Sequence, residues 1–228
     1  MTEPRRLVVA LDGPGSSGKS TVGALAATRV GYRFCDTGVL YRGLTLLVVR
    51  GGADPDDADA VLAMVPHVEL TADDNGRYVR LIADGADLTA ELHTAVVEAY
   101  VSRVSRHPAV RGALLPVQRG LAAAGGIVMA GRDIGSVVLP DADVKIYLEV
   151  SVEERARRRA EQRGELDDAN AFERIADELR SRDTIDSTRQ TAPLRVPDGA
   201  VLVETDGNTL EQTVDEVVAV IRDAALGR

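Results

Sequence analysis

The chain has 228 residues, 45% hydrophobic and 28% charged, an ordinary globular composition whose length suits one domain with insertions. No apolar run approaches the ~20 residues of a membrane span, the first residues lack the apolar core of a leader, and a single cysteine, Cys35, leaves no internal disulfide framework, so a cytoplasmic protein is expected. The net charge of −9 arises between Gly51 and Tyr100, where 11 Asp or Glu face two Arg, so a grip on a nucleic-acid backbone is not expected and anionic ligands must be met by local arginine clusters.

Arg6 to Asp12 is a short apolar run ending at glycine, the pattern of a buried parallel strand. Ser20 to Arg29 reads as a helix, Tyr32 to Cys35 as a second strand, and the stretch after Asp36-Thr-Gly38 as a helix to about Val49. His67 to Thr71 and Arg77 to Ile82, joined through Asn75-Gly76, form an expected antiparallel hairpin, because Asn-Gly suits the tight turns of hairpins. Further apolar runs at Gly126–Ala130, Val144–Val150 and Ala200–Glu204 read as central strands, with helical stretches between them. The last helix, Glu211 to Ala225, carries Val214, Val217, Val218 and Ile221 at helical spacing. Strands alternating with helices indicate an α/β sheet covered on both faces, with the hairpin as a small insertion over about 65–101.

Between the first strand and the first helix stands Gly13-Pro14-Gly15-Ser16-Ser17-Gly18-Lys19-Ser20, followed by Thr21. It matches Gly-x-x-x-x-Gly-Lys-Ser/Thr in the strand–loop–helix context the motif requires. The glycines let backbone N–H groups converge on an oxyanion, and the helix N-terminus adds a favourable dipole. Lys19 is expected to reach the β and γ phosphates of a nucleoside triphosphate, and the Ser20 hydroxyl to ligate Mg²⁺. Only Lys19 and Lys145 are lysines among 27 basic residues, so no Asn-Lys-x-Asp guanine reader exists and a GTPase switch is disfavoured. What remains is a small kinase, which needs an acceptor site and a way to keep water from the γ-phosphate.

Arginines answer both needs. Ser151-Val-Glu-Glu154 reads as a capping box, and along the helix it starts Arg155, Arg158 and Arg159 lie within roughly 100° of one another. Glu153–Arg157 and Glu154–Arg158 are expected pairs, which leaves Arg155 and Arg159 as stacked like charges awaiting an anion. The polar segment Glu161 to Asp168 suits the turn of a mobile helical lid, placed at about 155–185. Arg182, Asp186 and Arg189 recur at helical spacing, which by itself reads as a solvated face; Arg132-Asp133 follow a strand's carboxyl end, where open α/β sheets bind ligands.

Taken in order, Asp12 to Thr21, Asp36-Thr-Gly-Val-Leu-Tyr-Arg42, Gly131-Arg-Asp-Ile-Gly135, Val144-Lys-Ile-Tyr-Leu148, Glu153-Glu-Arg-Ala-x-Arg-Arg159 and Arg182-Asp-x-x-Asp-x-x-Arg189 resemble the bacterial cytidylate kinases, nucleoside monophosphate kinases, over most of the chain. The resemblance implies a single P-loop kinase domain over 1–228. Its fold would be a five-stranded parallel sheet flanked by helices, with a small antiparallel-sheet insert that binds the monophosphate and a helical lid. It implies transfer of the γ-phosphoryl group of ATP to CMP, and to dCMP, with Mg²⁺ carried by ATP. Lys19, Arg158, Arg159 and Arg132 would be catalytic; Arg42, Arg132 and Arg189 would hold the acceptor phosphate. Ser102, Arg111 and Asp133 would read cytosine, and Arg182 and Asp186 would approach the sugar. Thr37 stands where the family often has serine and keeps a hydroxyl at the acceptor site; Ile185 stands where some relatives carry another arginine. A monomer is expected, with no nucleic-acid or membrane partner. Two alternatives stay open: a P-loop kinase of AMP, shikimate or dephospho-coenzyme A, and a nucleotide-binding regulator without acceptor chemistry.

Overall fold

In the computed structural model, residues 6–168 and 170–227 are described. Met1 to Arg5, on which the expectation about a leader bears, and Ala169 of the expected lid lie outside them. The run Val8-Val-Ala-Leu-Asp12 has no polar break before Asp12, so both faces of strand β1 (Val8–Asp12) can be covered, and four of its five residues are buried. The elements that follow are α1 (Lys19–Val30), β2 (Arg33–Asp36), α2 (Gly38–Arg50), α3 (Ala58–Ala63), β3 (Val68–Ala72), β4 (Arg77–Ala83) and β5 (Ala86–Asp87). The second half holds α4 (Ala95–Ser105), α5 (Pro108–Ala122), β6 (Ile127–Gly131), β7 (Val144–Glu149), α6 (Val152–Arg163), α7 (Ala171–Thr188), β8 (Val201–Glu204) and α8 (Leu210–Ala225).

The strand order is β3-β4-β2-β6-β1-β7-β8. The five strands from β2 to β8 pair in parallel, as expected, with β1 central: Val9 faces Val128 on one side and Val144 on the other. Side chains alternate across this sheet. Val9, Leu11, Phe34, Val128 and Ile146 pack against α1 and α8, including Val22, Val214, Val217, Val218 and Ile221. Ala10, Ile127 and Met129 face Leu40, Leu44, Val97, Val104 and Leu114 from α2, α4 and α5. A third, small core of Ala156, Ala160, Ala171, Ile175, Ala176 and Leu179 joins α6 to α7.

The hairpin pairs antiparallel as expected, and β4 also pairs in parallel with β2, Phe34 opposite Arg77 and Cys35 opposite Tyr78. The pairing covers what would otherwise be an open edge of the central sheet. At the start of α6 only half of the capping box forms. The Ser151 hydroxyl accepts from Glu154 N–H at 3.1 Å, but the Glu154 carboxylate turns to Arg157 and Arg158, and the Ser151 N–H donates to Asp206 instead.

Candidate active site

The phosphate-binding loop leaves β1 at Asp12 and enters α1 at Lys19. Gly18, at φ 89°, makes the turn into the helix in a conformation L side chains avoid. A Cβ at Gly13 would lie 2.8 Å from the Leu148 carbonyl oxygen, so only glycine lets the loop pass β7 this closely. Gly13, Pro14 and Gly15 are buried behind the loop, while Ser16, Ser17, Gly18, Lys19, Ser20 and Thr21 line a cavity of about 500 Å³. Lys19 folds back over the loop and donates to the Pro14 carbonyl at 2.6 Å and to Ser17 Oγ at 3.1 Å. Burial, then the charge of Arg132, pushes its pKa well below the usual lysine range.

Across the cavity lie the acceptor-side candidates. Thr37, Arg42, Ser102, Arg111, Arg132, Asp133, Arg182, Asp186 and Arg189 all line it, drawn from α2 and the residue before it, α4, α5, α7 and the residue after it, and the turn after β6. The Asp12 carboxylate sets that turn, accepting N–H bonds from Ile134 and Gly135, both at 2.7 Å. Arg111 and Asp133 form a buried ion pair, Arg111 also donates to the Ser105 carbonyl at 3.0 Å, and its guanidinium lies 5.2 Å from the Tyr41 ring centroid. Arg189 pairs with Asp133 at 3.4 Å, and Arg132 donates to Asp186 at 3.1 Å. Burial raises the Asp186 pKa, but Arg132, Arg189 and Arg182 outweigh it and hold the carboxylate ionised. Thr37 spends its proton on the Ala130 carbonyl at 2.9 Å. A Cβ built on Gly15 would lie 3.3 Å from Arg132 Nη2, so the loop and the acceptor side meet at this arginine.

The arginines of α6 divide differently from the expected pattern. Arg155 is not a free charge stacked on Arg159: it is buried, donating to Asp183 at 2.5 Å and to the Gly15 carbonyl at 3.2 Å. The expected Glu153–Arg157 pair is not formed either, because Glu153 reaches Arg180 while Arg157 takes Glu154 and Glu161. Glu154–Arg158 is present at 2.7 Å. Arg158 also donates to Thr205 Oγ1 and the Thr205 carbonyl at 3.2 and 2.7 Å, and Arg159 donates to Gln162 at 2.9 Å. Both line the cavity.

One carboxylate there was not singled out from the sequence. Glu98 of α4 is 6% exposed and pairs with Arg42, Arg159 and Arg182. Burial raises its pKa, but His93 and the Arg42, Arg182 and Arg159 charges outweigh this and hold it well below the usual carboxylate range. Among eleven acids in that stretch it looked like surplus charge. The available signal was its register, since Glu98 shares the buried stripe of α4 with Val97, Val101, Ser102 and Ser105.

The donors at the loop also bear on a metal. Ser20 Oγ donates to Asp36 Oδ2 at 2.5 Å, setting a hydroxyl beside a carboxylate at the cavity wall. Such hard oxygens fit Mg²⁺, which takes one or two protein ligands and completes its shell with phosphates and water. Among the described residues no group of three or more His, Cys, Asp or Glu could hold a metal ion.

A family model described as cytidylate kinase matches residues 9–223. The chain is 45% identical to the cytidylate kinase of Mycobacterium avium, covering 95% of each chain, and 41% identical to that of Geobacillus thermodenitrificans, covering 96% of this chain and 98% of the relative. A solved structure of an uncharacterized protein from Eubacterium ventriosum superposes with a TM-score of 0.51 at 12% identity, covering 96% of this chain and 99% of that one, a likeness of fold alone.

Proposed function

The chain belongs to the cytidylate kinase family, and on that premise we propose how it carries the γ-phosphoryl group of ATP to CMP. The observation that carries the division of labour is one cavity with a phosphate-binding loop on one wall and the Arg111–Asp133 pair on the other. Residues 13–21 hold the ATP phosphates, with Lys19 at the β and γ positions. Mg²⁺, held through Ser20, supplies positive charge beside those phosphates when bound. Arg42, Arg132 and Arg189 take the acceptor phosphate, and Arg182 and Asp186 the sugar, where dCMP is accepted beside CMP. The acceptor oxygen is already anionic near neutral pH, so no strong general base is needed and catalysis is positioning plus charge neutralisation.

Cytosine offers an N4 amine beside N3 and O2 acceptors. Asp133 accepts from N4, Arg111 donates to N3 or O2, and Ser102 completes the base site. Uracil reverses the polarity at two of these positions, and sites of this kind discriminate by up to ~10⁴-fold. Helices α6 and α7, about 155–185, act as the lid, and about 65–101 as the acceptor insert. Arg158 and Arg159 neutralise the transferred group when the lid is down. We place the enzyme in the cytoplasm as a monomer that needs no nucleic acid or membrane; no helix among the described residues is long and apolar enough to cross one.

A panel of CMP, dCMP, UMP, AMP and shikimate with ATP, read by coupled ADP formation, tests the reading: CMP should be the best acceptor. In the same assay Asp133→Ala should lower kcat/KM for CMP far more than for UMP. Equal losses for both nucleotides would remove the carboxylate from base recognition.

A further inference from the structure

Guanidiniums from three helices converge on one carboxylate. Glu98 Oε1 pairs with Arg42 of α2 at 2.9 Å, and Oε2 pairs with Arg182 of α7 at 2.5 Å and with Arg159 of α6 at 3.0 Å. His93 Nδ1 lies 3.8 Å from Oε1. One carboxylate against three guanidiniums leaves an excess of two positive charges, which a phosphate dianion in its place would reduce to one. The cluster is also short of acceptors: Arg42 Nε and Arg182 Nε are buried and have no hydrogen-bond partner. Two carboxylate oxygens cannot serve every donor of three guanidinium forks, whereas a tetrahedral phosphate offers three terminal oxygens in different directions. The neighbouring acids are engaged elsewhere, Asp133 with Arg111 and Arg189, Asp186 with Arg132.

We propose that Glu98 is a specificity-determining residue that stands in for the acceptor at Arg42 and Arg182, the arginines assigned to its phosphate and sugar, and so keeps Arg159 from the donor phosphates until an acceptor displaces it. This rests on the proposed reading that these arginines serve the two substrates. The side reaction held back is hydrolysis: a water oxygen bonds to the γ-phosphorus, the bond to the β,γ-bridging oxygen breaks, and ADP, inorganic phosphate and a proton are released. Arg159 belongs to α6, so its tie to Glu98 on α4 connects the state of the acceptor site to the helix that covers the donor.

The test compares wild type with Glu98→Gln, which keeps the shape and removes the charge, and Glu98→Asp, which keeps the charge. In Glu98→Gln the KM for CMP should fall several-fold, and ADP formation from ATP without acceptor should rise by about tenfold, the size of one lost close ion pair. Unpaired guanidiniums lower the melting temperature of the free variant, and CMP should restore more of it than it adds to wild type. Glu98→Asp should lie between the two. A KM for CMP that rises while acceptor-free hydrolysis stays at or below wild type would overturn the proposal, as would a CMP-induced shift equal to wild type, because a purely structural carboxylate gives those results. Should wild type form no ADP in response to CMP, the proposed function fails instead. Inorganic phosphate titrated calorimetrically then still decides Glu98: tighter binding in Glu98→Gln supports the proposal and weaker binding refutes it.

Discussion

Asp12 and Lys19 sit seven positions apart and carry opposite charges into the same buried floor of the cleft, where burial works against both. For Asp12, burial outweighs the N–H bonds from Gly135 and Ile134 and pushes the pKa from 3.8 up to about 6. A carboxyl that holds its proton more tightly when folded favours folding fully at low pH, and that contribution is lost as pH rises from about 4 to about 6. Asp12→Asn removes the titration. Over this window its stability, followed by urea unfolding, should drop less, or rise more, with pH than that of wild type; parallel profiles would rule the buried charge out as a source of pH dependence. Lys19 already holds the loop in shape through Pro14 and Ser17, so its removal touches both loop geometry and phosphate charge. Lys19→Ala should lower kcat by at least ~10²–10³-fold, the range seen when one preorganised charge-stabilising donor is lost. A melting temperature within a few degrees of wild type would show that the loss is catalytic.

At the scale of elements, close approach decides as much as hydrophobicity. Helix α1 lies so near β1 and β2 that a Cβ at Gly23 would sit 2.6 Å from Phe34 Cε2 and 3.0 Å from Leu11 Cδ2. Alanine is the better helix former by ~1 kcal/mol, but inserting a methyl into a tight core costs ~1–3 kcal/mol. Phe34 and Leu11 are buried in the core and cannot yield into solvent. Gly23→Ala should therefore destabilise the protein in chemical unfolding, and a stabilised variant would mean that α1 can lift off the sheet. The pair α6–α7 has the opposite character. Its core is six residues, four of them alanine, and Arg155 fastens it to the loop through the Gly15 carbonyl.

That contrast sets the behaviour of the whole molecule. Strands β1 and β6 are covered on both faces by large aliphatic cores, whereas the α6–α7 core is small and is tied across the cleft by the ion pairs of Arg159 and Arg182 with Glu98 and of Asp186 with Arg132. Local opening is least costly where few apolar contacts hold an element. Amide hydrogen exchange should be fastest in α6 and α7, slower in the helices on the sheet and slowest in β1 and β6. ATP and CMP together should slow α6 and α7 more than either alone. Equal protection of α6–α7 and the central strands without ligand would contradict a lid.

The parallel core, the phosphate loop and the hairpin were legible in the chain because each follows from local chemistry: apolar runs, glycines before Lys19-Ser20, and Asn75-Gly76 at a turn. Helical spacing picked out Arg182, Asp186 and Arg189 and a strand end picked out Arg132 and Asp133, but only the family resemblance joined them into one site. Spacing could not say which guanidinium would find which carboxylate, since partners such as Arg182 and Glu98, 84 positions apart, meet only when α4 and α7 flank the same cleft. For that reason Arg155 was read as a free charge and Glu98 as surplus, and for the same reason the pairing of β4 with β2 was not visible. What the sequence determined was the inventory of anion-binding groups and the elements that carry them. The tertiary structure alone decided their pairing, because ion pairs and sheet edges depend on distances that local propensity does not encode.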